Sequence, residues 1–319
     1  MTRLSGAVVA AIAVSGWSAA AQPQVFRATV DVVVVDVSVR DGDEPVRGLT
    51  PADFELRDNR VLQTLADFSV ETPPLDVTVL ADASESLDLR FDRSDAKAVR
   101  SQLAADIQRV PSLLQPMDHV QLLKFSSGLS AASIDDAVSI DPAPERQHTA
   151  LFDSLLAALM QPPSPDRRRL AIVITDGIDT SSVVSHRTRA AVLDRSNVVV
   201  HLITTAVSRS GEQFGPPPVV RFSAASFGSV RLTTTFPESN FETFAWVLRD
   251  IADRTGGRHF EMQPGENFLP PLQRAIDEFR TRYMLRYVPA GVTNTGWHTL
   301  TVSVKNSKFE VKHRPGYWR

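Results

Sequence analysis

Carboxylate and hydroxyl side chains alternate directly after a short apolar run near residue 80. Residues 76–81 are dense in valine and leucine, and Asp82, Ser84 and Ser86 follow them at every second position. An aspartate at the carboxyl end of a strand, followed by two serines in a loop, can direct three side chains at one point, and ligand sites in open α/β sheets lie at such ends. Oxygen ligands of this kind suit hard cations. The segment therefore indicates a candidate cation site.

Asp82-Ala83-Ser84-Glu85-Ser86 is an Asp-x-Ser-x-Ser motif, and it resembles the start of the metal-ion-dependent adhesion site (MIDAS) of the von Willebrand factor A (VWA) family. The family adds a threonine before a later helix and an aspartate after a later buried strand, and Thr149 and Asp176 match these positions. The resemblance covers roughly residues 74–281. It implies one divalent cation, Mg²⁺ first and Mn²⁺ or Ca²⁺ as alternatives, held by Asp82, Ser84, Ser86, Thr149 and Asp176.

The flanking segments narrow this resemblance. The valine-rich start, the turn at residues 49–54 and the closing Arg314-Pro315-Gly316-Tyr317 are similar to a bacterial group of exported VWA-related proteins, described largely from acidobacteria. In the family, serine and threonine hydroxyls would bind the ion, while both aspartates would bind it directly or through water. The ion would keep an open position, which an acidic group of a protein partner can occupy.

Each member of the set also has a purely structural interpretation. Asp82 and Asp176 could cap strand ends, and the two serines could bond their own backbone in a turn. Thr149 could be the N-cap of the helix that follows it. Asp153 and Asp179 lie near the set in sequence and are interpreted as solvated or as lying behind the ligands.

The elements that must position these residues alternate between strands and helices. Apolar runs predict strands at residues 76–81, 120–125, 170–175, 198–204 and 258–261, and a weaker edge strand at 131–140. Helical spacing predicts helices at residues 94–110, 149–160, 185–195, 240–255 and 267–281. This alternation predicts an α/β fold with a doubly wound, mostly parallel sheet covered on both faces.

Both ends of the chain are β-rich. Valines at period two predict a strand at residues 30–39, and a hairpin is expected around the turn at 58–60. The tail predicts strands at residues 283–288, 298–304 and 309–313. Neither end has enough strands to be stable alone, so we expect them to form one smaller all-β unit. The predicted organisation is a signal peptide (1–21), an N-terminal β segment (22–73), the VWA-like domain (74–281) and a C-terminal β segment (282–319), with an insertion of unassigned role at 207–238.

The N-terminal residues and the composition bear on compartment and partners. Arg3, the apolar run at residues 6–14 and the small residues Ala19-Ala20-Ala21 predict a secretory signal peptide cleaved after Ala21. The protein is therefore expected to be exported, either periplasmic or secreted, with no transmembrane segment in the mature chain. Cysteine is absent, which excludes thiolate metal sites and disulfides. A net charge of -3 without a basic stripe argues against nucleic acid as a partner.

Three functions remain open at this stage. The first is a non-enzymatic, metal-dependent protein-binding or adhesion module, in which the cation coordinates an acidic group of a partner. The second is a structural or assembly component of the cell envelope that does not use the metal. The third is a metal-assisted hydrolase, which lacks a positioned base or nucleophile in the sequence. The tripeptide Arg167-Arg168-Arg169 is interpreted as a solvated lead into the strand at residues 170–175.

Overall fold

The computed structural model describes residues 32–42, 44–69, 73–84, 93–134, 148–164, 166–205, 219–223, 231–235, 240–262 and 266–319. The predicted signal peptide, Ser86 and most of the insertion at 207–238 lie outside these residues. Within the described part of the chain, no helix combines the length and apolar content needed to cross a bilayer.

The N-terminal β segment forms five short strands, β1 (Val33–Asp41), β2 (Glu44–Pro45), β3 (Phe54–Asp58), β4 (Val61–Gln63) and β5 (Leu65–Ser69). In β1, valines at period two point into a core and are almost inaccessible to solvent. Asn59 and Arg60 both have positive φ angles, 46° and 71°, so the two-residue turn between β3 and β4 has the backbone twist that hairpins favour. The predicted helical turn is a short 3-10 helix, Pro51–Asp53.

The middle of the chain alternates strands and helices as predicted. Its elements are β6 (Leu75–Asp82), α1 (Arg93–Gln108), β7 (His119–Phe125), β8 (Leu129–Ala132), α2 (Leu151–Leu159), β9 (Arg168–Thr175), α3 (His186–Arg195), β10 (Val199–Thr204), β11 (Val219–Ser223), β12 (Arg231–Thr235), α4 (Asn240–Thr255), β13 (His259–Glu261) and α5 (Leu269–Arg280). A second short 3-10 helix, Val110–Leu113, follows α1.

Six of these strands form one sheet in the order β13-β10-β9-β6-β7-β8. All neighbouring pairs are parallel except β7–β8, so β8 is an antiparallel edge strand. Helices α1 and α5 contribute to the core on one face, and α2, α3 and α4 contribute to the core on the other. The predicted doubly wound, mostly parallel sheet is therefore present. Strands β11 and β12 pair with each other as a separate antiparallel hairpin within the predicted insertion.

The tail contributes four strands, β14 (Tyr283–Tyr287), β15 (Trp297–Val304), β16 (Glu310–Lys312) and β17 (Gly316–Trp318). Strand β14 pairs with β1 and β5, while β15 pairs with β3 and β17. Two antiparallel sheets result, β16-β1-β14-β5, in which β2 also pairs with β1, and β17-β15-β3-β4. Their inner faces share one apolar core. The expected all-β unit is thus built from both ends of the chain, while the domain limits at 73/74 and 281/282 stay predictions.

Buried charges join the all-β unit to the parallel sheet. Arg168, at the start of β9, forms an ion pair with Asp36 of β1 at 2.8 Å, and its guanidinium lies 4.2 Å from the centre of the Phe279 ring. The Arg168 side chain is only 9% exposed. The interpretation of this arginine as solvated is therefore wrong, because Asp36 of β1 and the Phe279 ring cover it.

A second buried group lies at the end of α5. Glu278 accepts hydrogen bonds from Arg282 at 2.9 and 3.0 Å, and His201 Nε2 of β10 lies 2.8 Å from the same carboxylate. His201 Nδ1 accepts a hydrogen bond from the backbone N–H of Arg258, so Nε2 carries the proton of a neutral ring. Burial raises the pKa of Glu278, but the charge of Arg282 and the hydrogen bond from His201 outweigh it and hold that pKa well below its ordinary value.

Candidate functional site

The candidate cation site lies at the carboxyl edge of the parallel sheet. Asp82 is the last residue of β6, and Asp176 directly follows β9, which lies beside β6 in the sheet with Ala81 opposite Ile174. The chain continues from β6 to β7 on one side and from β9 to β10 on the other. The two aspartates therefore flank the position where strand connections diverge, which is where open α/β sheets form ligand crevices.

Asp82 is fully buried and hydrogen-bonded through both carboxylate oxygens. Oδ1 accepts from the backbone N–H of Ser84 at 2.9 Å and from the Ser84 hydroxyl at 2.5 Å, and Oδ2 accepts from the Thr175 hydroxyl at 2.7 Å. The first serine of the motif is thus folded back onto the aspartate. Thr175, which ends β9, also belongs to the site although the sequence analysis did not select it; a polar residue closing an apolar strand next to Asp176 was the available signal.

The negative charges of Asp82 and Asp176 act on each other. Burial and then the negative charge of Asp176 raise the pKa of Asp82 to about 7. Asp176 is itself only 4% exposed, and its Oδ1 accepts a hydrogen bond from the backbone N–H of Ile178 at 2.9 Å. Gly177, which lies between Asp176 and Ile178, has a φ angle of +83°, a conformation that other residues rarely adopt. Two buried carboxylates this close are unfavourable together unless a proton or a cation accompanies them.

Thr149 is buried against the loop that follows Asp176, and it does not cap a helix. Its side chain is 1% exposed, its backbone N–H donates to the Thr180 hydroxyl, and its carbonyl accepts from the N–H groups of Thr180 and Ser181. The N-cap position of α2 belongs to Ala150, which offers no side-chain acceptor. The N-cap interpretation of Thr149 is therefore wrong, while its role as a metal ligand stays a prediction.

The N-terminus of α2 is capped by the loop that follows Asp176. Asp179 Oδ1 accepts from the backbone N–H of Leu151 at 2.8 Å, and the Ser182 hydroxyl accepts from the N–H groups of the next two residues at 3.1 Å. In return, the carboxylate of Asp153 accepts from the N–H groups of Val183 and Val184 at 2.9 Å. Asp153 and Asp179 are thus structural acceptors rather than solvated side chains, and together they join the loop after Asp176 to α2, the helix that follows Thr149.

A buried arginine supports the motif from α1. The Arg100 side chain is 4% exposed, and its Nη2 donates to the carbonyl oxygen of Ser84 at 2.5 Å. Arg100 shares its helix face with the core residues Leu103 and Ile107. A charge on an otherwise apolar helix face was the signal for this residue, and the sequence analysis did not use it.

Asp82 and Ser84 lie at the end of β6, Asp176 follows β9, and Thr149 precedes α2 and is hydrogen-bonded to the loop after Asp176. Ser86 lies outside the described residues. Among the residues described, no group of three or more histidine, cysteine, aspartate or glutamate side chains could hold a metal. The donor set is instead two carboxylates with hydroxyl groups, and such oxygen donors fit a hard divalent cation.

No protein-family model and no curated protein matches this chain. Among solved structures, it is similar to an aerotolerance-related membrane protein from Bacteroides fragilis NCTC 9343, with 17% identity over 64% of this chain and 98% of that one and a TM-score of 0.41. It is also similar to the ArnB paralog VWA2 from Sulfolobus acidocaldarius, with 11% identity over 82% and 73% of the two chains and a TM-score of 0.40.

A third similar structure is proximal thread matrix protein 1 from the mussel byssus, with a zinc-occupied MIDAS motif. The identity is 15%, the TM-score is 0.43, and the match covers 71% of this chain and half of that protein's length. The SpRpn10 VWA domain is also among the similar structures, with 12% identity and a TM-score of 0.35. The fold class of this chain rests on its strand order.

Proposed function

We propose that this protein is an exported binding module that captures a partner through a divalent cation. The cation would be held by Asp82, Ser84, Ser86, Thr149 and Asp176, with Mg²⁺ first and Mn²⁺ or Ca²⁺ as alternatives. The observation that carries the proposal is the pair of buried carboxylates at the ends of β6 and β9. Burial and then the charge of Asp176 raise the pKa of Asp82 to about 7. A bound cation would compensate both charges.

The charge of the donor set favours a cation that binds a partner's carboxylate. Two carboxylates neutralise a divalent ion in charge count, while hydroxyl ligands add no further negative charge. When bound, the ion would supply a Lewis-acidic position that accepts a carboxylate from a partner protein. The residues of this chain would hold that position in place, because Arg100 fixes the carbonyl of Ser84 and the loop around Asp179 is hydrogen-bonded to α2.

A hydrolytic role has less support. Asp82 accepts hydrogen bonds from Ser84 and from the Thr175 hydroxyl, and the backbone N–H of Thr149 donates to the Thr180 hydroxyl. The buried histidines His201 and His298 are bound to other acidic residues, Glu278 and Asp58. A general base must lie within hydrogen-bond reach of the proton that it takes, and neither of these histidines is placed for that.

The test begins with the metal itself. Isothermal titration of the mature protein with MgCl₂, MnCl₂ and CaCl₂ should show one site, and Asp82→Asn and Thr149→Ala should lose most of the affinity. Asp67→Asn is the matched control, because Asp67 is 59% exposed and pairs with Arg286 in the all-β unit.

Partner capture then separates the remaining functions. A pull-down from envelope extract should retain a specific protein with Mg²⁺ and release it in chelator. Capture that is equal with and without chelator would favour the metal-independent assembly role, and metal-dependent turnover of a substrate panel would favour the hydrolase. N-terminal sequencing of the exported protein should begin at Gln22, and a retained Met1 would contradict export through the predicted signal peptide.

A further inference from the structure

A cleft of about 740 Å³ lies between the parallel-sheet unit and the all-β unit. One wall comes from the ends of α3 and α4, and the other comes from β15, β16 and β17. Because α3 and α4 lead into β10 and β13, the cleft is at the amino edge of the parallel sheet. Asp82 and Asp176 lie at the opposite, carboxyl edge. The cleft is therefore separate from the candidate cation site, and its volume is in the range of pockets that bind small ligands.

Two tryptophans form the apolar side of the cleft. Trp297 and Trp318 contact each other with ring centres 6.0 Å apart and planes inclined by 62°. Trp318 is 45% exposed, although indole rings are usually covered, and the guanidinium of Arg195 lies 4.3 Å from its centre. Gly316 fixes this arrangement, because a side chain there would collide with the Trp297 ring. The rings are thus held in place while part of their apolar surface faces solvent.

The polar side of the cleft consists of charges that are already paired. Arg254 bonds Asp194 and Asp250 at 2.8 and 2.9 Å, and Lys312 bonds Asp253 at 3.0 Å. These side chains remain partly exposed, from 18% for Asp194 to 64% for Asp253. Three carboxylates face two cationic groups, so the wall offers many hydrogen-bond donors and acceptors and only a small net negative charge. This lining suits a neutral ligand that carries hydroxyl groups and presents an apolar face to the indoles.

We propose that this cleft binds a neutral oligosaccharide. The C–H faces of a sugar ring would stack on Trp318 and Trp297, and its hydroxyls would bond the carboxylates and cationic groups of the opposite wall. The proposal is independent of the cation site, since the residues involved lie at the other edge of the sheet and none is a predicted metal ligand. The protein would then have two binding sites, one for a protein partner and one for a glycan.

The test uses cellohexaose, xylohexaose and maltohexaose as probes against the mature protein. Indole N–H signals in a nitrogen–proton NMR spectrum give one reporter for each tryptophan. Binding should shift the signals of Trp297 and Trp318 and leave Trp246 unmoved, because Trp246 is an exposed tryptophan of α4 that does not line the cleft. Trp318→Ala should weaken binding about tenfold or more, and Trp246→Ala, the matched control, should not change it.

Two further measurements keep the result decisive. Asp253→Asn alters an exposed side chain, so it should leave folding intact and weaken binding several-fold even if Trp318→Ala does not fold. Chelator and Asp82→Asn should leave sugar binding unchanged, which separates failure of this proposal from failure of the cation site. If none of the three sugars shifts Trp297 or Trp318 at millimolar concentration, or if tetralysine binds there and the sugars do not, the proposal is overturned.

Discussion

Replacing Asp82 with asparagine separates a cation site from a structural carboxylate. Asparagine keeps the shape of the side chain, its oxygen can accept from Ser84, and its amide can donate to the Thr175 hydroxyl. Alanine is less informative, because it would leave the buried hydroxyls of Ser84 and Thr175 without their acceptor and destabilise the protein for an unrelated reason. The expected effects of Asp82→Asn have opposite signs with and without the cation.

In chelator, the variant should be the more stable protein. Burial and the charge of Asp176 raise the pKa of Asp82 from 3.8 to about 7. The folded protein therefore binds this proton more tightly than the unfolded chain, so stability falls as the pH rises through that range and the carboxylate ionises. At 1.36 kcal/mol per pKa unit, ionisation of the buried Asp82 carboxylate lowers the free energy of unfolding by at most about 4 kcal/mol. Because an amide forms weaker hydrogen bonds than a carboxylate, we expect a gain of about 1 to 3 kcal/mol at about pH 8.

With the cation the order should reverse. Binding to the folded state adds about 2.7 kcal/mol at a hundredfold excess over Kd. For the parent this corresponds to a rise in Tm of about 5 °C or more, and Asp82→Asn should show little of it. Calorimetry of the parent, Asp82→Asn and the control Asp67→Asn in chelator and in millimolar Mg²⁺ measures both effects. A variant that melts lower in chelator, together with a parent that ignores the cation, would falsify the site and leave Asp82 as a strand-end cap.

Three further predictions concern the residues around the site and the junction of the two units. Arg282→Met should lower the free energy of unfolding in urea by about 3 to 5 kcal/mol, because Glu278 stays buried without its partner, and adding Glu278→Gln should restore much of the loss. Burial lowers the pKa of His201, so the folded protein resists a proton that the unfolded chain accepts, and the contribution of His201 to stability should fall as the pH drops below 6.5. His201→Gln should remove this contribution, which urea titrations of the parent and the variant at several pH values measure as the difference between their slopes. Asp179→Asn should cost about 1 kcal/mol of stability and weaken Mg²⁺ binding less than Thr149→Ala does, as calorimetry can show; an equal loss of affinity would make Asp179 a ligand.

The pattern of apolar residues was sufficient to predict the strands that carry Asp82 and Asp176. The continuous apolar runs of β6 and β9 predict buried parallel strands, and the positions after them locate Asp82 and Asp176. Contacts between segments that are distant in sequence could not be predicted from these local patterns. Arg168 lies in a run of arginines that looks solvated, and only the packing of β1 against β9 shows that Asp36 buries it.

Local patterns also failed to predict other contacts made by distant segments. The cap of α2 comes from Asp179 and Ser182, about thirty residues downstream, so a local motif at Thr149 could not reveal it. Strand β17 holds three residues, including a glycine, and has no alternation to detect. Arg100 is the exception, because its place on the apolar face of α1 was visible in the sequence.

The interlocking of the two chain ends in one sandwich has a consequence for the order of folding. Val33 pairs with Tyr287 and Phe54 with Val304, so β1 and β3 are made early but meet their partners only after the parallel-sheet unit has been synthesised. Contacts this distant in sequence close slowly. Until then the valine-rich β1 presents unpaired edges that favour aggregation. The sandwich should therefore form in the last and slowest kinetic phase of folding. A nascent chain that ends before Tyr283 should contain a folded parallel sheet, and its unpaired N-terminal strands should need a chaperone to prevent aggregation.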